Sequence, residues 1–222
     1  MKVLFLGNSF TYYNDLPKMV MKMGRSMGMD LTTDSVTRGG ARLCQFADPQ
    51  DELYPKWKAL YDGEDWDFVV FQEQSAKPML QTEEYISSVK QLRSLLRPDQ
   101  KVILYQTWSY KDGTEKLGTV QCTYREMWTA LEAACRRAGA EMQMDVIPVG
   151  RCFATVYELH PELEMYQPDA FHPSPAGSYM AACLFLSYLS GQSPQYFPIP
   201  ECVPTESGEI IRSIADWAEA TV

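Results

Sequence analysis

The chain has 222 residues, 45% hydrophobic and 22% charged, which suits one globular domain (residues 1–222) with a well-buried core. A net charge of −9, from 29 acidic against 20 basic residues, disfavours nucleic acid and anionic membrane as partners, since both need a positive footprint. The six cysteines (44, 122, 135, 152, 183 and 202) contain no Cys-x-x-Cys pair, so neither a zinc centre nor a disulfide framework is expected.

No stretch is apolar enough over its length to span a bilayer. After Lys2 only four apolar residues precede Gly7, too few for a signal peptide, so a cytoplasmic protein is expected. Residues 3–6 form a short apolar run that predicts a buried strand. Residues 13–28 then read as a helix, with Leu16, Val20, Met23 and Met27 recurring at spacings of three and four. A second strand is expected over residues 31–37, ending at Gly39-Gly40, and a helix over 52–61. Residues 68–71 are wholly apolar and follow the Asp65-Trp66-Asp67 turn, which predicts a third strand.

Residues 82–96 read as a helix with Thr82 as its N-cap and Pro98 beyond its end. Residues 102–105 predict a fourth strand. Residues 120–138 predict a long helix closed by Gly139, and 142–149 a fifth strand. Helices are also expected over 153–159, 176–190 and about 207–220, the last with Ile210, Ile211, Ile214 and Trp217 on one face. Strand and helix alternate throughout without repeats or a linker. That pattern predicts an α/β fold with a central parallel sheet covered on both faces.

In such a sheet ligands sit at the carboxyl ends of the strands. Ser9, Gly39-Gly40, Gln72-Glu73-Gln74-Ser75 and Thr107-Trp108 each follow a predicted strand, and Asp169 and His172 lie in a late loop. Ser9 in Gly7-Asn8-Ser9-Phe10-Thr11 reads either as a nucleophile on a tight turn or as a helix cap. The chain has only two histidines, which narrows the choice of base. His160 sits in the acidic segment Glu158-Leu159-His160-Pro161-Glu162 and reads as solvated loop. His172 follows Asp169 by three residues, a spacing that lets the carboxylate hold Nδ1–H and leaves Nε2 to accept a proton.

Gly39 and Gly40 read as a turn, or as backbone donors that approach an oxyanion because no Cβ intervenes. Gln72 and Gln74 are candidate side-chain donors, whereas Glu73 points the other way on an extended segment and reads as structural. Tyr12, Tyr13 and Trp108 are candidates to line a substrate pocket, with core packing the other reading. Gly24-Arg25-Ser26-Met27-Gly28 matches the G-x-S-x-G elbow in letters. It lies at a helix end rather than between strand and helix, so Ser26 is not expected to react.

These blocks resemble those of the SGNH (GDSL-type) hydrolases, esterases and lipases of flavodoxin-like α/β fold. Gly7-Asn8-Ser9-Phe10 resembles the family's nucleophile block, Gly39-Gly40 its glycine block and Asp169-Ala170-Phe171-His172-Pro173 its Asp-x-x-His block. Order and spacing agree from residue 3 to about 190. A bacterial branch of the family whose third block reads Gln-Glu-Gln-Ser is especially similar.

The resemblance implies a three-layer α/β/α sandwich with a mainly parallel sheet. It also implies Ser9 as nucleophile, His172 as base, Asp169 as its orienter, and no cofactor or metal. Two departures stand out. Asn8 replaces the usual acid before the serine, and no asparagine is present for the third block, since Asn8 and Asn14 are the only two. The third-block role then passes to Gln74 or Gln72, completing an oxyanion hole with Ser9 and Gly39 or Gly40, or is vacant. Carbohydrate acetylesterases similar to the family can use glutamine there, which tilts the expected substrate toward an O-acetylated sugar. A non-catalytic carbohydrate-binding protein with the same fold is the alternative. A flavodoxin-like nucleotide binder lacks support, because neither a P-loop nor a G-x-G-x-x-G is present.

Overall fold

The computed structural model describes residues 1–113 and 121–219. Five strands, β1 (Lys2–Gly7), β2 (Thr32–Thr37), β3 (Phe68–Phe71), β4 (Lys101–Tyr105) and β5 (Asp145–Ile147), form one sheet in the order β2-β1-β3-β4-β5. Every neighbouring pair is parallel, with Leu4 opposite Asp34 on one side and Val69 on the other.

The strand sequences explain the layering, because alternate residues on a strand face opposite ways. Val3, Phe5, Val70, Ile103 and Tyr105 pack into one apolar cluster with helices α2 (Leu16–Ser26), α8 (Val149–Leu159), α9 (Pro175–Ser190) and α10 (Thr205–Glu219). Leu4, Leu6, Val69, Phe71, Val102 and Leu104 pack into a second cluster. Its partners are α3 (Leu43–Ala47), α4 (Leu53–Gly63), α6 (Thr82–Ser94) and the second half of α7 (Tyr124–Met142). The result is the expected three-layer α/β/α sandwich. α9 shows how completely one helix is enclosed: thirteen of its residues are buried, with Tyr179, Phe185 and Leu186 fully so.

Several expected boundaries move for identifiable reasons. The first helical segment is broken, because Asn14 and Asp15 adopt positive φ (52° and 56°) before α2 begins. Two short helices, α1 (Ser9–Tyr12) and α5 (Lys77–Leu80), and α3 carry too little sequence for periodicity to register. Thr82 is the first residue of α6 rather than its cap, and its hydroxyl donates to Pro78 O at 2.8 Å. α8 begins four residues early, at Val149. In α10, Ile211 and Ile214 are buried, while Trp217 is 51% exposed. The expected start of α7 at Val120 and end of α10 at Ala220 lie outside the described residues.

Gly139 does not close α7. The helix runs on to Met142 and stops at Gln143, whose φ is 52°. Gly139 instead lets β5 approach: a Cβ there would lie 2.7 Å from Val146 Cγ2 and 2.9 Å from Met144 O. Met144 N also donates to Gly139 O at 2.9 Å. Gly139→Ala should therefore destabilise the protein by about 1–3 kcal/mol from overpacking, against the roughly 1 kcal/mol that alanine gains in helix propensity. Thermal or denaturant unfolding of the variant checks this; a rise in stability would show that β5 does not press on the helix.

Candidate active site

The carboxyl ends of all five strands open on one edge of the sheet, and the strand order reverses direction between β1 and β3. That switch point is where ligands bind in open α/β sheets. Ser9 stands there as the first residue of α1, 8% exposed, immediately after β1. Asn8 caps the helix: its Oδ1 accepts from Phe10 N at 3.1 Å, while its Nδ2 donates to Ala41 O at 2.9 Å. The residue in place of the family's acid thus ties the serine turn to the glycine turn.

Gln72, at the end of β3, holds the same turn from the other side. Its Oε1 accepts from Asn8 N and Thr11 Oγ1, each at 2.9 Å, and its Nε2 donates to Glu73 O. Gly7 is required by this closeness, since a Cβ would lie 2.5 Å from Thr11 Oγ1 and 2.6 Å from Gln72 Oε1. Both ends of the fully buried Gln72 amide are engaged within the protein. The two glutamines therefore separate: Gln72 is a buried tie, and Gln74 is the half-buried one.

Gln74 Oε1 accepts from Ala76 N at 3.1 Å and Lys77 N at 3.0 Å at the start of α5. Those donors fix which end of the amide is oxygen. Nε2 faces Ser75 Oγ at 3.3 Å, and Ser75 Oγ in turn lies 2.6 Å from Tyr110 OH. An amide nitrogen has two hydrogens, so one contact leaves donor capacity for a ligand.

Residues 38–41 make the glycine turn, closed by Ala41 N donating to Arg38 O at 3.0 Å. Arg38 is anchored by a two-pronged bond to Asp51 at 2.9 and 3.0 Å. Gly40 has φ +66°, which explains the glycine there. Gly39 lies beside the serine turn, where an added Cβ would stand 3.4 Å from Tyr12 OH. Among the described residues, the backbone N–H groups of Ser9 and Gly39 have no hydrogen-bond acceptor in the protein.

His172 is reached through a closely held loop. Tyr166 and Pro173 form an antiparallel bridge, and Gln167 N donates to His172 O at 2.8 Å. Asp169 Oδ1 accepts from Phe171 N and His172 N at 3.1 and 3.0 Å, and Oδ2 accepts from His172 Nδ1 at 2.6 Å. Burial pushes Asp169 up, but the imidazole and the two backbone N–H groups outweigh it and hold the carboxyl below its ordinary value. Ala170 has φ +68°, a left-handed alanine in the middle of the loop.

Aromatic rings set the plane of the imidazole. Tyr13 stacks on it at 4.2 Å and 6°, Phe171 lies 4.2 Å away at a tilt, and Phe10 meets it edge-on at 5.6 Å. Phe10 follows Ser9 in the chain, so the imidazole and the serine turn share one wall. No hydrogen bond joins Ser9 Oγ to His172 among the described residues.

Tyr12 is 43% exposed at the rim, stacked on Tyr13. Trp108 is not at the rim. It is fully buried between Phe10 and Phe153, at 4.6 and 4.1 Å, and its Nε1 donates to Phe171 O at 3.0 Å. It supports the histidine loop from below and packs in the core. Asn14 was not anticipated: its Nδ2 donates to Pro173 O at 3.0 Å and Ser178 Oγ at 2.8 Å, joining the serine and histidine loops. The one signal for it is the Asn14-Asp15 break before Leu16-Pro17, a helix start that proline favours.

His160 ends α8 beside Glu162, 3.1 Å away, and Ser26 sits in the last turn of α2 with its hydroxyl on Met23 O. Neither approaches the site's loops by any hydrogen bond. Among the described residues no cluster of His, Cys, Asp or Glu could hold a metal ion, and no helix is long and apolar enough to cross a membrane.

Solved structures of known proteins share this fold. A protein from Slackia heliotrinireducens assigned as an SGNH hydrolase matches at 29% identity and a TM-score of 0.73, covering 86% of this chain and 99% of its own. The chain is similar to the SGNH hydrolases in fold and over most of its length. A DUF4886 family protein from Bacteroides uniformis shares the fold at 18% identity with a TM-score of 0.81, over 99% of this chain and 95% of its own. An acetyl xylan esterase, AlAXEase, shares it at 15% identity and 0.62, over 85% and 100%. No protein-family model and no curated protein matches the chain.

Between the two glutamines, Glu73 is buried. Burial pushes the Glu73 carboxyl up to about 7 from an ordinary 4.5, despite bonds from Gln74 N and Leu43 N and the nearby charges of Lys77 and Arg42. Between those values the folded chain binds more protons than the unfolded one, so rising pH costs stability. Relative to Glu73→Gln, the wild type should lose up to about 3 kcal/mol as pH rises from 5 to 8. Urea titrations of both proteins at the two pH values measure it, and a constant difference would refute the burial effect.

Proposed function

We propose that this protein is an SGNH-type serine esterase that cleaves a small acyl ester, with an O-acetyl group on a carbohydrate as its substrate. One observation carries the reading. The imidazole of His172 has Nδ1 committed to Asp169 at 2.6 Å, and its ring plane is fixed by Tyr13 on the wall it shares with Ser9. With Nδ1–H donated to a carboxylate, the neutral ring leaves Nε2 as a proton acceptor.

In this mechanism Ser9 Oγ attacks the ester carbonyl as His172 Nε2 takes its proton. The tetrahedral oxyanion is held by the N–H groups of Ser9 and Gly39 and by Gln74 Nε2. Collapse expels the alcohol, protonated by His172, and leaves an acyl-Ser9 ester. Water, deprotonated by His172, attacks that ester and releases the acid and Ser9. In resting sites nucleophile and base commonly stand further apart than in the reacting complex, which accounts for the missing Ser9–His172 bond.

Support for a sugar acetate is chemical. Gln74 occupies the third-block position, the exposed ring of Tyr12 offers a face to a sugar, and a fold neighbour is an acetyl xylan esterase. A net charge of −9 does not oppose a neutral carbohydrate.

Fluorophosphonate treatment followed by peptide mass spectrometry should place an adduct on Ser9 that Ser9→Ala lacks. Absence of an adduct on folded protein would overturn the esterase reading in favour of sugar binding without turnover. Acetylated xylo-oligosaccharides should then outrun longer-chain acyl esters in kcat/KM. Gln74→Ala should cost roughly 10²–10³ in kcat with the fold intact. Gln72→Ala should instead lower stability by about 1–3 kcal/mol for each of the two buried donors it strands. Steady-state kinetics and unfolding curves on the pair separate the roles, and reversal of the two results would exchange them.

A further inference from the structure

Among the described residues, Glu73 is the one acidic side chain that is buried, at 3% exposure, and the proposed chemistry makes no use of it. Its Oε1 accepts from Gln74 N at 2.7 Å and from Leu43 N at 3.2 Å, with Oε2 3.4 Å from Leu43 N. Gln74 carries the third-block amide. Leu43 opens α3 three residues after Gly40, and Ala41 between them receives the Asn8 side chain. One carboxyl group therefore bridges the two segments that supply donors from outside the serine turn.

We propose that Glu73 is the positioning residue of the oxyanion hole: its carboxylate clamps the backbone of Gln74 to the segment leaving the glycine turn, and protonation slackens the clamp. This rests on the esterase reading for its catalytic consequence but not for the clamp itself. An ionised acceptor makes hydrogen bonds about twice as strong as a neutral one, so the charged form is the tight form. Donors to an oxyanion must be held within about 0.5 Å of their working positions. A slackened clamp thus displaces Gln74 and Gly39 without removing either.

The surroundings decide when the switch happens. Arg42 and Lys77 favour the charged form from the α3 and α5 sides. Lys77 itself is drawn off by Gln81 and Glu84. On the core side lie Tyr85 of α6 and Cys135 of α7, joined by a Tyr85 OH to Cys135 Sγ contact at 3.7 Å. Desolvation outweighs the two cations, and the carboxyl is pushed up to about 7. The clamp is therefore tight at alkaline pH and loose in mild acid.

The test compares the full-length wild type with Glu73→Gln, a neutral isostere, using p-nitrophenyl acetate as probe. At pH 8.5 the wild-type kcat should exceed that of Glu73→Gln by about tenfold with KM within about twofold, since only transition-state contacts change. At pH 5.5 the ratio should approach one, because wild-type Glu73 is then neutral too. Amide exchange by NMR, corrected for intrinsic rates, gives a readout without turnover. Leu43 and Gln74 amides should be better protected at pH 8.5 than at pH 5.5 in wild type, and should show no such change in the variant. Equal pH dependence of protection in both proteins overturns the clamp whatever the rates. A tenfold ratio that persists at pH 5.5 overturns the ionisation as its cause. Failure of the wild type to hydrolyse the probe, or full activity in Ser9→Ala, would instead sink the esterase reading, and the exchange data would still decide the clamp.

Discussion

Gln72 Oε1 receives the backbone N–H of Asn8 and the hydroxyl of Thr11 in a fully buried position. This contact spans the gap between β1 and β3, the strands whose order reverses there. A parallel sheet spreads its carboxyl ends apart at such a point, and the turn after β1 would otherwise rest on its own short helix of four residues. The glutamine fixes that turn to the neighbouring strand, and Gly7 makes room for it. The direction in which Ser9 faces is thus set by a side chain 63 residues away in sequence rather than by local propensity.

Three further ties complete the frame, and each crosses between loops. Asn8 Nδ2 reaches the glycine turn at Ala41 O, Asn14 Nδ2 reaches the histidine loop at Pro173 O, and Trp108 Nε1 reaches it at Phe171 O. A loop donor bonded to a carbonyl on another loop satisfies two polar groups and constrains both segments together. The stacking of Tyr13 on His172 adds a fourth link, between rings rather than dipoles. The site is held as a network, so its parts share a rigidity none has alone.

The sequence was legible where pattern and chemistry are local. The apolar run at residues 68–71 is β3 to the residue, and the three-residue step from Asp169 to His172 is a hydrogen-bonded pair in the structure. It was opaque where distant packing decides. Gly139 reads as a helix terminator because glycine is one in most contexts, yet here β5 passes so close that only glycine fits. Trp108 reads the same whether it faces solvent or core, and only the Phe10 and Phe153 rings on its two sides settle the matter. Gln72 and Gln74 are indistinguishable in sequence. They part because the backbone leaves the strand after Phe71, sending one amide inward and leaving the other at the rim.

A glutamine in place of asparagine at the third block carries a physical difficulty. Its extra rotatable bond gives it more conformations, and a donor that must be ordered during the reaction loses much of its benefit. Gln74 avoids this because its Oε1 is held by Ala76 N, which precedes α5, and by Lys77 N, which opens it and also donates to Gln74 O. Two bonds to one oxygen fix the torsions of the side chain and the identity of its ends. The nitrogen is then pre-aimed, with Ser75 Oγ backing it at 3.3 Å. In the proposed mechanism the longer side chain holds the start of α5 with its oxygen and offers its nitrogen to the oxyanion, and its length is what allows one residue to do both.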